Sequence, residues 1–267
     1  ASQGLMSGAV MSGGTISQAI EGTSIGGTQL VLNGGTSIDQ TIAPTGVQKV
    51  SSGGQSLRYI LSGGQQDVSA GGVVSNGLIL SGTQNVYDGG VAEADLVTRI
   101  GTQTVHGGTG IISTLMASGQ QVVYAGTGSV AKTSSGGTQT VSGGIGIATD
   151  IYSDGYQVVT GGTGLVTNLS GGAEQRVVTG QGSVTNVVGG LQNIFSDGTG
   201  TIDTLYDGSQ TVQIDGSGLI NVMSSGIQYA IDGYAHINTM VGGEQQGYNY
   251  AKLSIDTMNG GRQLISS

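Results

Sequence analysis

Gln139-Thr140-Val141, a Gly143-Gly144 pair and Ala148-Thr149-Asp150-Ile151 are followed by Gln157-Val158-Val159, a Gly161-Gly162 pair and Val166-Thr167-Asn168-Leu169. The second half repeats the first, position for position. Self-similarity at a short fixed period, here about 18 residues, marks a solenoid, in which one supersecondary unit stacks on copies of itself. Outward from this stretch a glutamine recurs at the same mean step, at positions 29, 48, 66, 84, 103, 121, 139, 157, 175, 192, 210, 228, 246 and 263.

Two residues after these glutamines stand Val31, Val50, Val68, Val86, Val105, Val123, Val141, Val159, Val177, Ile194, Val212, Ala230, Tyr248 and Ile265. A second apolar column includes Leu57, Ile112, Val130, Ala148, Val166, Val184, Ile202, Ile220, Ile237 and Ile255. A third follows three residues later, with Ile60, Leu115, Ile151, Leu169, Val187, Leu205, Met223, Met240 and Met258. Each repeat therefore turns about three apolar side chains toward a common interior.

Short β-branched runs separated by Gly-Gly, Asp-Gly or Ser-Gly-Gly read as strands joined by tight turns. No window carries the 3.6-residue pattern of an amphipathic helix. Equivalent strands of successive repeats cannot be hairpin partners, so they lie parallel and in register. The expected fold is an all-β, right-handed parallel β-helix of about 14 rungs. Three hexapeptides would also fill one period, as in left-handed coils. The inward residues Val159, Val166, Leu169 and Val177 are instead spaced by 7, 3 and 8, and parallel crossovers favour the right hand. Residues 1–27 fit the period poorly and read as irregular first rungs or a cap; residues 28–267 form the repeats.

Strand parity puts the Gln and Val columns on one face. The glutamines could stack as an amide ladder, or an intervening turn could send them to solvent. Asp150, Asn168, Asn186, Asp203, Asn221, Asn238 and Asp256 read as bend residues, because short polar side chains tolerate the left-handed region.

The composition narrows the function. With 54 glycines in 267 residues, one proline and no tryptophan, the chain is unlike an ordinary globular enzyme. Being 36% hydrophobic with only 9% charged residues, it is also unlike a disordered one. A net charge of −9 disfavours nucleic acid and anionic membranes as partners. The absence of cysteine removes disulfides and thiol chemistry. No stretch has the length and apolarity of a transmembrane helix, and Ala1 onward is not a signal peptide, so an exported form has had its signal removed.

β-Helical enzymes build their sites on long loops, with clustered carboxylates in a cleft. Here no glutamine step departs from the period by more than a single residue, so no enzyme activity, cofactor or metal site is expected. His106 and His236 lie about seven rungs apart and read as separate turn residues, leaving Ser-His-Asp catalysis without support. Asp197, Asp215 and Asp232 occupy matching places in consecutive rungs and could bridge a cation; each precedes glycine, which is a turn signal in itself. The Thr102-Gln103-Thr104 and Thr138-Gln139-Thr140 rows are interrupted by Gln120-Gln121-Val122, which breaks any ice-binding array. Tyr229, Tyr234, Tyr248 and Tyr250 cluster toward the C-terminal end, where they read as packing around the last rungs rather than as a sugar-stacking patch.

One further column is Ser62, Ser81, Ser118, Ser135, Ser153, Ser170 and Ser225, each before Gly or Asp-Gly. Serine is a good turn residue, and folding alone accounts for it. A functional reading is a line of exposed hydroxyls suited to repeated modification.

Units such as Gly82-Thr83-Gln84-Asn85-Val86-Tyr87-Asp88-Gly89-Gly90 and Ser135-Gly136-Gly137-Thr138-Gln139-Thr140-Val141-Ser142-Gly143-Gly144 resemble the imperfect repeats of AIDA/TibA-type self-associating autotransporter adhesins. The resemblance covers residues 29–267 and is strongest in the Gly-x-Gln-x-Val-x-x-Gly-Gly half. It implies a passenger fragment on a Gram-negative cell surface, with its translocator and cap elsewhere. It also implies host-cell adhesion, autoaggregation and biofilm growth through self-association and a host receptor. A heptosyltransferase partner would modify the turn serines of the column above, with Ser12, Ser52 and Ser142 in similar Ser-Gly-Gly settings. A glycan-cleaving β-helix and a passive stalk are the alternatives.

Overall fold

Successive repeats cannot bury their apolar columns alone; stacked, they do. A computed structural model describes residues 24–32 and 34–266. It is an all-β right-handed parallel solenoid of about 13 turns, with no helix among the described residues. Two compact units divide the chain, Ala1–Val130 and Ala131–Ser267. Most of residues 1–27 lies outside the described part.

Each full rung has a glutamine-bearing first side, a first corner after the Val column, a second side bending into a short third side, and a second corner. In the first unit Thr28–Val31 pairs with Val47–Val50, which pairs in turn with the end of Ile60–Val68. Gln29, Gln48, Gln66, Gln84 and Gln103 are thus register partners in sequence. In the second unit Thr138–Val141, Tyr156–Val159 and Glu174–Val177 stack in register, as do Ile145–Ile151 and Thr163–Ser170.

The first unit's core runs through Val31, Val50, Val68, Val86, Ile112 and Leu115. The second unit has one cluster from the second and third columns, including Ala148, Ile151, Val166 and Leu169. Another cluster comes from the Val column, Val141 to Ala230. Burying each valine or leucine contributes roughly 1.5–3 kcal/mol relative to exposure, and the same contribution recurs at every rung.

The glutamines form the ladder and are buried from Gln29 to Gln245, with Gln263 exposed on the outermost described rung. In the first unit each Nε2 donates to the preceding Oε1 at 2.6–2.7 Å from Gln48 through Gln121. In the second unit the same bonds run from Gln157 to Gln263. The remaining amide hydrogen reaches backbone, as in Gln157 Nε2 to the Gly146 carbonyl at 3.3 Å. Satisfied in this way, a buried amide adds about 1 kcal/mol, whereas stranding it costs about 1–3 kcal/mol.

Room for the ladder comes from glycine on the facing strand. A Cβ at Gly164 would lie 2.4 Å from Val159 Cγ2 and 2.7 Å from Gln157 Oε1. The same approach recurs at Gly146, Gly182 and Gly218.

Several column assignments shift by one residue. Gln245, not Gln246, is the ladder member, because Gln228 pairs with Gln245 after a step of 17. Gly247 rather than Tyr248 then faces inward beside it. At an earlier rung Ser56 and Leu61 are buried in place of Leu57 and Ile60. The intervening Arg58 has φ 51°, and one left-handed residue resets the alternation of an extended strand. On the outermost described rung Ile255 is half-buried and Met258 exposed.

The Asn/Asp series is two columns. Asp150, Asn168 and Asn186 are register partners, while Asn186 pairs with Thr204. Asp203, Asn221 and Asn238 make a second line through amide bonds of 2.9 and 2.8 Å. All lie within strands. The left-handed bends fall instead on Asp39, Arg58 and Asn76.

Candidate functional site

The corners carry the exposed hydroxyls. At the second corner, Ser134–Gly137 and Tyr152–Gly155 each close with a bond from the fourth N–H to the first carbonyl, at 2.9 and 3.1 Å. Their central residues have positive φ: Ser135 50°, Gly136 78°, Ser153 47° and Asp154 61°. These are the signs of a type I′ turn. Ser135 N–H donates to the Ser153 carbonyl at 2.6 Å and Gly136 N–H to the Asp154 carbonyl at 2.9 Å. The two turns are therefore stacked, and both serines are exposed.

The other serines of this column occupy different turn positions. Ser118 is third in Met116–Gly119, with φ 67°, and is exposed. Ser170 is first in its turn and half-buried, and Gly171 takes the place equivalent to Ser153. Ser62 and Ser81 are register partners and half-buried, and Ile100 succeeds them. Ser225 is exposed.

Two serines belong to the first corner. Ser52 is exposed with φ 52°, second in Ser51–Gly54. Ser142 is half-buried and its hydroxyl accepts from Thr160 Oγ1 at 3.2 Å. Ser12 lies outside the described residues. The sequence reading missed Ser196, which is exposed with φ 48° in Phe195–Gly198. It shares the Ser-Asp-Gly signature of Ser153 but sits at the other corner, and that signature was the available signal.

A left-handed serine holds its side chain away from the flanking strands, free of the packed sides of the coil. It costs about 1–2 kcal/mol relative to an ordinary conformation. At Ser52 and Ser135 the turn tolerates it because the serine N–H bonds the neighbouring rung, at the Ala70 carbonyl (2.9 Å) and the Ser153 carbonyl (2.6 Å). Ser52, Ser118, Ser135, Ser153 and Ser196 form a distinct set: exposed, left-handed and in a corner turn closed by a backbone hydrogen bond.

Asp197, Asp215 and Asp232 lie at the first corner and are exposed; Asp215 and Asp232 have φ near 60°. Asp215 N–H donates to the Asp232 carbonyl at 2.9 Å, so at these two the aspartate serves the turn. Among the described residues no group of three or more His, Cys, Asp or Glu side chains could hold a metal.

The two histidines differ. His106 is exposed at a first corner, stacked between Tyr87 at 5.0 Å and Tyr124 at 5.6 Å between ring centroids. Partial burial, with the Asp67 carboxylate nearby, pushes the Tyr87 hydroxyl above its ordinary pKa. His236 is not a turn residue but lies within Tyr234–Met240, where it bonds Ser254. Of the C-terminal tyrosines, Tyr234, Tyr248 and Tyr250 are exposed and not packing residues, while Tyr229 is half-buried.

Two ion pairs tie neighbouring rungs. Arg58 grips Asp39 through two bonds of 2.8 and 2.7 Å. Arg262 does the same to Glu244 Oε2 at 2.9 and 2.6 Å. These hydrogen bonds hold both carboxyls below the usual carboxylate range.

Neither a protein-family model nor a curated protein sequence matches the chain. Among solved structures it is similar to the TibC-catalyzed hyper-glycosylated TibA fragment, at 25% identity and a TM-score of 0.48. That similarity covers 91% of this chain and 86% of the other.

Proposed function

We propose that the protein is the adhesive passenger of a bacterial surface autotransporter, modified by a heptosyltransferase on corner serines. The reading carries forward the resemblance of the Gly-x-Gln-x-Val-x-x-Gly-Gly repeats. The observation that supports it best is the recurrence of exposed, left-handed serines in corner turns closed by a backbone hydrogen bond. A rigid acceptor presents its hydroxyl without the ordering cost of a flexible loop. Many equivalent weak contacts along repetitive sides add up to useful avidity between copies or toward a host receptor. Adhesion, autoaggregation and biofilm growth follow from that multivalency.

Co-expression with a heptosyltransferase, followed by intact-mass measurement and site mapping, tests the modification. The expected result is a series of heptose additions on corner serines. An unmodified 26.4 kDa species overturns it. Settling of cells that display the protein tests the adhesive half: cells carrying it should clump, and a suspension as stable as the empty control would refute that half.

A further inference from the structure

On the outer face of the second side, Ser254, His236 and Asp256 meet across two adjacent strands, Tyr234–Met240 and Lys252–Met258. Ser254 Oγ lies 2.6 Å from His236 Nδ1. His236 Nε2 lies 2.7 Å from Asn238 Oδ1 and 3.4 Å from Asp256 Oδ2.

The hydrogen-bond directions follow from the far end of the chain. The Asp203 carboxylate only accepts, so Asn221 turns its nitrogen toward it, at 2.9 Å. Asn221 Oδ1 then accepts from Asn238 Nδ2 at 2.8 Å. This leaves Asn238 Oδ1 facing His236 Nε2, which must donate. The neutral imidazole consequently presents the lone pair of Nδ1, and the Ser254 hydroxyl donates to it. A nucleophile, a base and an orienting group are therefore in line, the arrangement that activates a serine.

We propose that Ser254 is an activated nucleophile toward small carboxylic esters. Ser254, His236, Tyr234, Ser217 and Lys252 line a shallow depression of about 350 Å³, enough for a short acyl group. Lys252 Nζ donates to the Tyr234 hydroxyl at 2.8 Å and lies 4.7 Å from its ring centroid. By strand parity Lys252 shares a face with Ser254, about 7 Å away along the strand, and it supplies positive charge to the same depression.

In the reaction Ser254 Oγ bonds to the ester carbonyl carbon and its proton passes to His236 Nδ1. Asp256 and Asn238 face the imidazolium at Nε2. The ester C–O bond breaks, and the leaving alkoxide takes the proton from His236. Water then cleaves acyl-Ser254, releasing the acid and restoring the hydroxyl. Asn238, Asn221 and Asp203 act as positioning residues. This inference is independent of the adhesive function.

The test exposes the whole protein to p-nitrophenyl acetate and maps acetylation by peptide mass spectrometry. Ser254 should be the dominant acetylated serine, with nitrophenolate released in a matching burst. Ser254→Ala should remove the burst, and His236→Gln should slow it at least about 100-fold, with the β-sheet circular dichroism of both variants unchanged. The imidazole nitrogen shifts of His236 should report the Nε2–H tautomer, and Asn238→Ala should erode that preference. Acetylation spread evenly over exposed serines, a burst insensitive to His236→Gln, or an Nδ1–H tautomer in the unmodified protein would overturn the proposal.

Discussion

Leu253 occupies the space that the Val column fills elsewhere: Gly247 faces it with no side chain, and a Cβ there would lie 2.8 Å from Leu253 Cδ1. In most rungs of the second unit the sizes are reversed, with Val159 against Gly164 and Val212 against Gly218. Between these arrangements Ala230 and Ala235, two small residues, hold the same two positions. The inward volume is shared across the pair, so either partner can be large if the other is small.

Gly247→Val alone should therefore destabilise the last rungs through overpacking, by about 1–3 kcal/mol. Leu253→Gly alone should leave a void at a similar or larger cost. Together they recreate the Val-Gly pair, and a double-mutant cycle on hydrogen exchange of Lys252–Met258 should give a coupling of about 1–3 kcal/mol. Strict additivity of the two changes would show that the pair does not share a volume.

Gln175 lies mid-ladder, donating to Gln157 and accepting from Gln192. Replacing it with Ala takes the ladder donor from Gln157 Oε1, leaves Gln192 Nε2 only its backbone acceptors and opens a cavity, at an expected cost of about 2–4 kcal/mol by chemical denaturation. Gln175→Glu should be worse at neutral pH, because burial raises the pKa of a carboxyl that has lost its role as a donor. A raised folded pKa makes the variant most stable below the unfolded value of about 4.3. It should lose that stability as pH rises through the folded value, and a pH-independent defect would argue against a buried carboxyl.

Arg262 holds the Glu244 carboxyl below its ordinary range, with Gln246 adding a second hydrogen bond. Its contribution to stability should be complete above the unfolded pKa of about 4.3 and disappear as pH falls through the lower folded value. Acid hydrogen exchange of Arg262–Ser266 should show this loss, and Glu244→Gln should abolish it. Asp39 with Arg58 should behave alike in the first unit. Persistence of the same acid transition in Glu244→Gln would assign it to another group.

Modification by a heptosyltransferase should follow turn geometry. Ser52, Ser118, Ser135, Ser153 and Ser196, exposed and left-handed, should be occupied before Ser62, Ser81, Ser142 and Ser170, which are half-buried. Site-resolved occupancy at partial modification checks the order. Ser142 reaching full occupancy ahead of Ser153 would show that corner geometry does not govern acceptance.

Most of the coil was legible in the sequence, since the Gln and Val columns recur wherever the step stays close to its mean. The register failed to read at Gln246 because adjacent glutamines, Gln245 and Gln246, offer equal matches and only the shortened corner distinguishes them. It failed at Leu57 and Ile60 because a left-handed Arg58 leaves no sequence signal. The candidate acceptors were half legible: Ser-Gly and Ser-Asp-Gly mark corners, but not which place in the turn a serine takes.

The sequence alone determined a parallel coil with a recurring glutamine column, because a fixed period forces equivalent residues into the same environment rung after rung; that the column is a buried amide ladder was decided by the tertiary structure. Tertiary structure decided which member of each repeat faces inward, since a one-residue change at a corner turns a strand's side chains to the opposite face. It also decided that Ser254 meets His236. They stand one full period apart, but an outward-facing position in the repeat is under no packing constraint that would write their contact into the pattern.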